Sequence, residues 1–410
     1  MFKLKNNGVT LSIITVFVST LLQFLFIRYA SYEIDKEIYG NFVLLQTLIA
    51  GLSTILLQVP GQAFDRFYNE SDDKTNFINQ FRTYLIFINL LSLLIIYIYG
   101  LFINKFSSEI LFLIFILFFL LNTYGLNQKI YLLNLERKRY MYLKILEASS
   151  KFLTPIVFYF YFNSLESLIL GMVLGYLFSS FILYIFMKDL PFKIYFNLDN
   201  FRKYFLYAYP FLFMSIFTWG ISYTDRYFID YFLETKDIAI YAILAMVAGI
   251  GQIIGQIYFM YAEPKLLKIH NENSKLAYNT IKKYLRFLTI IFILIFLITL
   301  LLPKFLFTIL LEKEIIYNEY YFNTFLILLV SIFLNILHIA HHLYIKLFKK
   351  VYILSYIYLI AFIVNIIGNL FIKDYGIIAA AISTLVAYIV ILLLQIIYVS
   401  KYMKMEINNV

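Results

Sequence analysis

The chain has 410 residues, of which 62% are hydrophobic and 14% charged, with a mean hydropathy of +0.82 and a net charge of +10. Water-soluble chains run nearer half apolar and about a quarter charged, and no soluble core hides such an excess, because a folded surface must still be clothed in polar groups. The composition excludes disorder, a nucleic-acid-binding module and an ordinary cytosolic enzyme, and leaves an all-α polytopic membrane protein.

A helix needs about 20 mostly apolar residues to cross the hydrocarbon core. Twelve stretches qualify, at 8–30, 41–60, 82–103, 109–127, 143–162, 167–187, 205–225, 239–261, 284–302, 322–345, 351–372 and 376–399. The first follows MFKLKNNG, a basic start like that of a signal peptide, but its apolar run is too long and no small-residue cleavage site follows. It is read as a spanning helix. The loop after it carries Glu33, Asp35 and Glu37, an ExD spacing used by lipid-dependent glycosyltransferases. Such enzymes need larger external loops, so a solvated acidic loop is expected. The runs are continuously apolar without period-two alternation, which excludes a β-barrel.

Orientation follows from the lysines and arginines. With the N-terminus inside, twenty-five of the 34 fall in inside segments and eight in outside ones, and Lys151 lies within a span. Both termini are therefore expected in the cytoplasm. The polar interval 188–204 (KDLPFKIYFNLDNFRKY) divides six spans from six, giving bundles at 1–195 and 196–410. At an offset of 202, Asp35, Ile38, Tyr39, Ile55, Asn69 and Glu70 align with Asp237, Ile240, Tyr241, Ile257, Asn271 and Glu272, a faint echo of parallel repeats.

Enzyme signatures are missing. There is no GxxxxGK[ST], HExxH or GxSxG motif. The lack of cysteine removes disulfides, zinc thiolates and Cys nucleophiles. Gly249, Gly251 and Gly255, like Gly171 and Gly175, read as small-residue helix packing. His338, His341 and His342 share one face of the tenth span with no acidic residue nearby, so a structural or interfacial role outweighs a proton-linked one and no metal is expected.

Charge inside a span is costly and tends to face a cavity or a partner. Lys151 lies about 12 Å along the fifth span, with Glu147 one turn before it in the favourable order. An internal pair with a snorkelling lysine and a cation lining a water-filled cavity stand on equal terms. Arg28, Arg66, Asp225 and Arg226 mark span ends, and Asn89, Asn122, Gln252, Gln256, Asn365 and Asn369 bring amides into the membrane interior. Those amides serve either as interhelical glue or as a polar path. Pro155, Pro210 and Pro303 interrupt the backbone ladder within or beside spans.

The second half then becomes recognisable. FRKYFLYAYPFLFMSIFTWGISYTDRYFIDYFLETKDIAIYAILAMVAG holds a basic linker (Arg202, Lys203), a helix entered at Tyr-Pro (Pro210), an Asp-Arg pair (Asp225, Arg226) and a tyrosine opening the next helix (Tyr241). Glu263 and Pro264 end the eighth span, and Asn365, Asn369, Tyr375, Gly376 and Ala379 to Ala381 supply an Asn-rich helix, a Tyr-Gly turn and a small-residue final helix. Tyr39, Gly40 and Arg66 match in the first half. Together they resemble the O-antigen flippase family of polysaccharide exporters, within the multidrug, oligosaccharidyl-lipid and polysaccharide exporter superfamily.

The resemblance implies a MATE-like fold of two six-helix bundles in the bacterial inner membrane. It implies a flippase, not an enzyme, that carries an undecaprenyl-diphosphate-linked oligosaccharide, such as a lipopolysaccharide repeat unit, to the periplasmic leaflet by alternating access. Lys151, Arg66, Arg28, Gln252, Gln256, Asn365 and Asn369 are then expected to bind substrate, and Asp225, Arg226, Glu147 and His338 to gate or couple. No cofactor and no nucleic acid is expected. Membrane lipids, a coupling ion and the polysaccharide polymerase machinery are the further partners. A multidrug exporter, another lipid-linked-precursor exporter of the superfamily and a polytopic polysaccharide polymerase or glycosyltransferase remain as alternatives.

Overall fold

In hydrocarbon every backbone N–H and C=O must be satisfied within the chain, so long apolar runs separated by short polar turns dictate helices. The computed structural model describes residues 2–188, 190–253, 255, 266, 269, 274–347 and 351–408, and among these the regular structure is helical throughout. The helices are α1 Phe2–Tyr32, α2 Lys36–Leu56, α3 Gln58–Phe67, α4 Lys74–Ile103, α5 Ser108–Leu133, α6 Arg137–Ala148, α7 Thr154–Phe162, α8 Leu165–Phe186 and α9 Leu198–Phe232. They continue as α10 Thr235–Gly249, α11 Ser274–Leu301, α12 Lys304–Phe307, α13 Lys313–Tyr317, α14 Glu319–Leu347, α15 Val351–Asn369, α16 Ile372–Tyr375 and α17 Ile377–Asn408.

Among the described residues, 11 helices are long and apolar enough to cross a membrane, and the chain is a multi-pass membrane protein. The remaining expected span, 143–162, is helical from Arg137 to Phe162 but is broken into α6, a π turn at Ser149–Leu153 and α7. Large apolar side chains stay exposed along the spans, as with Phe87, Leu90, Leu94 and Leu101 on one side of α4. In water such a patch would be a liability; in lipid it is the solvent contact.

The turns between spans are written in capping chemistry. Asp35 accepts hydrogen bonds from Glu37 N and Ile38 N at 2.9 and 3.0 Å and so starts α2. Asp73 caps α4, Ser164 and Ser167 form a capping box for α8, and Glu234 with Asp237 does the same for α10. Thus Asp35 and Asp237, aligned in the internal echo, both serve helix starts. Gly376, with φ of 70°, ends α16 in a left-handed conformation that favours glycine, and the Tyr320 hydroxyl bridges that turn by donating to Tyr375 O and accepting from Ile378 N.

The chain forms two compact units, Met1–Ser215 and Ile216–Val410. The first reaches past the 188–204 interval because that segment is strapped to α4. Arg82 donates to Leu190 O at 3.0 Å and to Asn127 Oδ1 at 2.9 Å, Gln80 donates to Asn197 O, and Thr83 accepts from Tyr195 N. The start of α9 follows: Tyr204 packs on Phe67, Phe77 and Phe81 with ring centroids 5.0 to 5.8 Å apart. In the second unit α14 is central, packed against α10, α11, α15 and α17, with Phe333 stacked on Phe292 at 4.5 Å.

Candidate functional site

The break in the helix that carries Lys151 has a cause in the sequence. Pro155 has no N–H to give to Lys151 O, four residues back, so the α-helical ladder must open there. The chain widens instead: Thr154 N donates to Ser149 O, five residues back. Ser149, Ser150 and Thr154 return their hydroxyls to carbonyls one turn earlier at 2.9 Å each, a side-chain pattern that bends helices.

The next helix presses against this turn. A Cβ on Gly171 would lie 2.7 Å from Thr154 O, and one on Gly175 would lie 2.8 Å from Ser150 Cα. Ser179 Oγ, one helical turn further on, lies 2.8 Å from Ser150 Oγ. Gly171, Gly175 and Ser179 form a single stripe of α8 that lets its backbone touch the π turn, the small-residue packing familiar from membrane helices. Overpacking costs about 1–3 kcal/mol. Gly175→Ala is therefore expected to lower the thermal unfolding midpoint in detergent, and an unchanged midpoint would contradict the close approach.

Braced in this way, Ser150 is buried while Lys151 is exposed. The Lys151 ammonium lies 5.2 Å from the Phe152 ring centroid, and Phe152 in turn packs on Phe26 of α1 at 5.8 Å. Glu147 is not its ion-pair partner. That carboxylate is held by Lys144 at 2.7 Å, and among the described residues no carboxylate lies within ion-pair distance of Lys151. The result is a lysine carried by a rigid backbone feature and outside any ion pair with a described carboxylate.

Other basic candidates of the first unit are placed differently. Arg66, at the end of α3, pairs with Glu70 at 2.8 Å, and both are well exposed. Beside it, Lys129 pairs with Asp65 at 2.8 Å. In the turn after α3, burial lifts the Tyr68 phenol above its usual range, and its hydroxyl donates to Asn134 Oδ1 at 2.8 Å. Arg28 is exposed and its guanidinium lies over the Tyr32 ring at 4.9 Å.

The second unit gathers Asp225, Arg226 and Tyr241 into one closed network. Arg226 Nη1 donates to Asp225 Oδ1 at 2.7 Å and to Ser222 O at 2.6 Å, and the Tyr241 hydroxyl donates to Asp225 Oδ2 at 2.6 Å. Asp225 and Arg226 side chains are 3% and 12% exposed. The guanidinium also lies over the Tyr223 and Tyr241 rings at 4.9 and 5.7 Å. The Asp-Arg pair and the later tyrosine, separate features of the sequence, are thus one object.

The amides of α15 bond largely to one another and to α17, with Asn369 Oδ1 left buried and unpartnered. Asn365 Nδ2 donates to Ser383 Oγ at 2.9 Å, Ser383 Oγ donates to Asn365 O at 2.8 Å, and Asn369 Nδ2 donates to Asn365 Oδ1 at 3.2 Å. Both asparagines are fully buried. His338 is likewise buried, between the Tyr358 and Tyr388 rings at 5.9 Å each, with Nε2 2.9 Å from Asn335 Oδ1. His342 Nδ1 lies 3.2 Å from the Tyr358 hydroxyl. Gln252 is half-buried. Gln256, with Glu263, Pro264 and Lys268, lies outside the described residues. Among those described, no group of three or more His, Asp or Glu could hold a metal ion.

A family model described as "Polysaccharide biosynthesis protein" matches residues 5–263. The chain belongs to that family. No match is found among curated proteins. Among solved structures, this polysaccharide biosynthesis protein is similar to a lipid II flippase, MurJ, in an inward closed conformation, at 15% identity and a TM-score of 0.73 over 96% of this chain and 87% of that one. It is similar to an inward-facing multidrug resistance MATE family transporter of the MOP superfamily, at 13% identity and a TM-score of 0.66 over 95% and 96% of the two chains. A eukaryotic MATE transporter follows at 14% identity and 0.59, over 97% and 96%. The fold is the one seen in those flippase and transporter structures.

Proposed function

We propose that this protein moves a polyprenyl-diphosphate-linked oligosaccharide, of the undecaprenyl type used for O-antigen and related polysaccharides, across the bacterial inner membrane to its outer leaflet. A diphosphate flanked by sugars cannot cross about 30 Å of hydrocarbon unaided, whereas the prenyl tail is at home in lipid. The protein's task reduces to a hydrated path with positive charge for the diphosphate.

The observation that carries this reading is Lys151. A lysine near the centre of a span costs about 2.5–3.5 kcal/mol on insertion scales, yet here it sits on a π turn built by Pro155 and braced by α8, with no described carboxylate within ion-pair distance and Glu147 held by Lys144. Such a cation fits the diphosphate. Arg66 and Arg28 are the further cations of the first unit, and Gln252, Gln256, Asn365 and Asn369 the amides that would follow the sugars once the buried ones exchange partners. Asp225, Arg226, Glu147 and His338 are assigned to gating or coupling. With no nucleotide-binding loop in the sequence, the energy comes from an ion gradient, the membrane potential or consumption of the product.

A drug exporter of the same fold is the competing reading, and the family's description favours the glycan. Cells lacking the gene are expected to accumulate a lipid-linked oligosaccharide whose mass identifies its sugars. Drug sensitivity without any such lipid would support the competitor.

A further inference from the structure

The second unit contains a cavity of about 340 Å³ where α11 and α17 flank α14. Each helix gives it one face. Lys282, Leu285 and Arg286 come from α11, Leu337 and His341 from α14, and Leu392 and Ile396 from α17, all at the three- or four-residue spacing that shares a helix side.

The lining is graded along the membrane normal. Lys282 and Arg286 lie in the first half of α11, while His341 lies near the end of α14. Alternating spans place these ends on the same side, which the lysine and arginine asymmetry makes the cytoplasmic one. Leu337 and Leu392 lie further into the bilayer. Lys282 and Arg286 are exposed, and among the described residues Arg286 has no carboxylate partner. His341 Nδ1 is buried without a hydrogen-bond partner.

A purely apolar guest would leave the Arg286 guanidinium unmatched, and a water-soluble anion would leave the leucine wall wet. Only an amphiphilic anion meets both halves. Basic pockets between helices on the cytoplasmic side bind anionic lipid headgroups. We propose that this cavity holds an anionic phospholipid of the cytoplasmic leaflet, its phosphate against Arg286 and Lys282 and its upper acyl chain against Leu337, Leu392 and Ile396. This site is separate from Lys151, which belongs to the first unit, and it does not depend on which glycan is carried.

The test is binding of defined lipids to delipidated full-length protein, followed by native mass spectrometry. Phosphatidylglycerol is expected to bind at least about tenfold more tightly than phosphatidylcholine. Lys282→Gln with Arg286→Gln should remove most of that preference, Ile396→Trp should weaken binding by filling the apolar end with charge unchanged, and Lys373→Gln should leave it intact. Thermal midpoints establish that each variant is folded. Equal binding of the two phospholipids, or a double variant that keeps its preference, would overturn the proposal. Inorganic phosphate displacing phosphatidylglycerol at equal concentration would make this a simple anion site, and polyprenyl phosphate displacing it would make it a substrate site. Either result also overturns the phospholipid assignment.

Discussion

Lys151→Ala is expected to lower glycan export by about ten- to a hundredfold at equal protein level, whereas Lys151→Arg retains most of it. A hydrogen bond to a charged group contributes about 1.5–3 kcal/mol, and each 1.4 kcal/mol is a factor of ten. Removing the cation should scarcely disturb folding, since it breaks no ion pair among the described residues: the nearby Glu147 carboxylate is held by Lys144. Pro155→Ala separates the charge from its placement. Restoring the N–H allows a regular α-helix, which raises local helix propensity by about 3 kcal/mol but removes the extra residue of the π turn. Each helical residue advances the face by about 100°, so Lys151 would turn away. Impaired export from this variant, with unchanged or raised stability, is the expected result. Undiminished export from Lys151→Ala, with protein level matched by immunoblot, would remove Lys151 from the transport path.

Asp225→Ala should be the most damaging single change to folding. It deletes the carboxylate that holds both the Arg226 guanidinium and the Tyr241 hydroxyl, leaving a charge with little access to solvent. Breaking a buried pair from one side costs about 3–5 kcal/mol, while replacing both partners with apolar groups is often neutral. Asp225→Ala combined with Arg226→Met is therefore expected to recover most of the folded yield, measured as monodisperse protein by size exclusion in detergent. Tyr241→Phe should cost only about 1 kcal/mol, the net worth of one hydrogen bond. If the double variant folds but does not export, the network has a role in transport beyond holding the unit together. An Asp225→Ala variant as stable as the parent would contradict the burial argument.

The spans were legible because a bilayer leaves a chain no alternative to helix, and twenty apolar residues announce one. Small residues were legible too: Gly171 and Gly175, and Gly251 and Gly255 against Phe333 and Ile336, lie at helix contacts. Gly249 has nothing near it and shows that spacing alone does not prove contact. The partner of Glu147 was not legible. On a regular helix both Lys144 and Lys151 are within reach, and only three-dimensional placement selects Lys144. The π turn had a signal, a proline four residues after the charged one. The strap of Arg82 to the 188–204 segment had none, because a polar interval looks the same whether it swings free or is tied down. For the same reason the amides of α15 could be read as glue or as a path, and in this structure Asn365 is bonded to Ser383 of α17 while Asn369 is bonded to Asn365 within its own helix.

The central claim is the direction and cargo of transport, and the leaflet on which the lipid-linked oligosaccharide accumulates in cells lacking the gene tests it most directly. Spheroplasts probed with a membrane-impermeant sugar-oxidising reagent should leave that lipid unlabelled until the membrane is permeabilised, because it is stranded on the inner leaflet. Labelling in intact spheroplasts would place the block after translocation, as for a polymerase, and would contradict the flippase assignment.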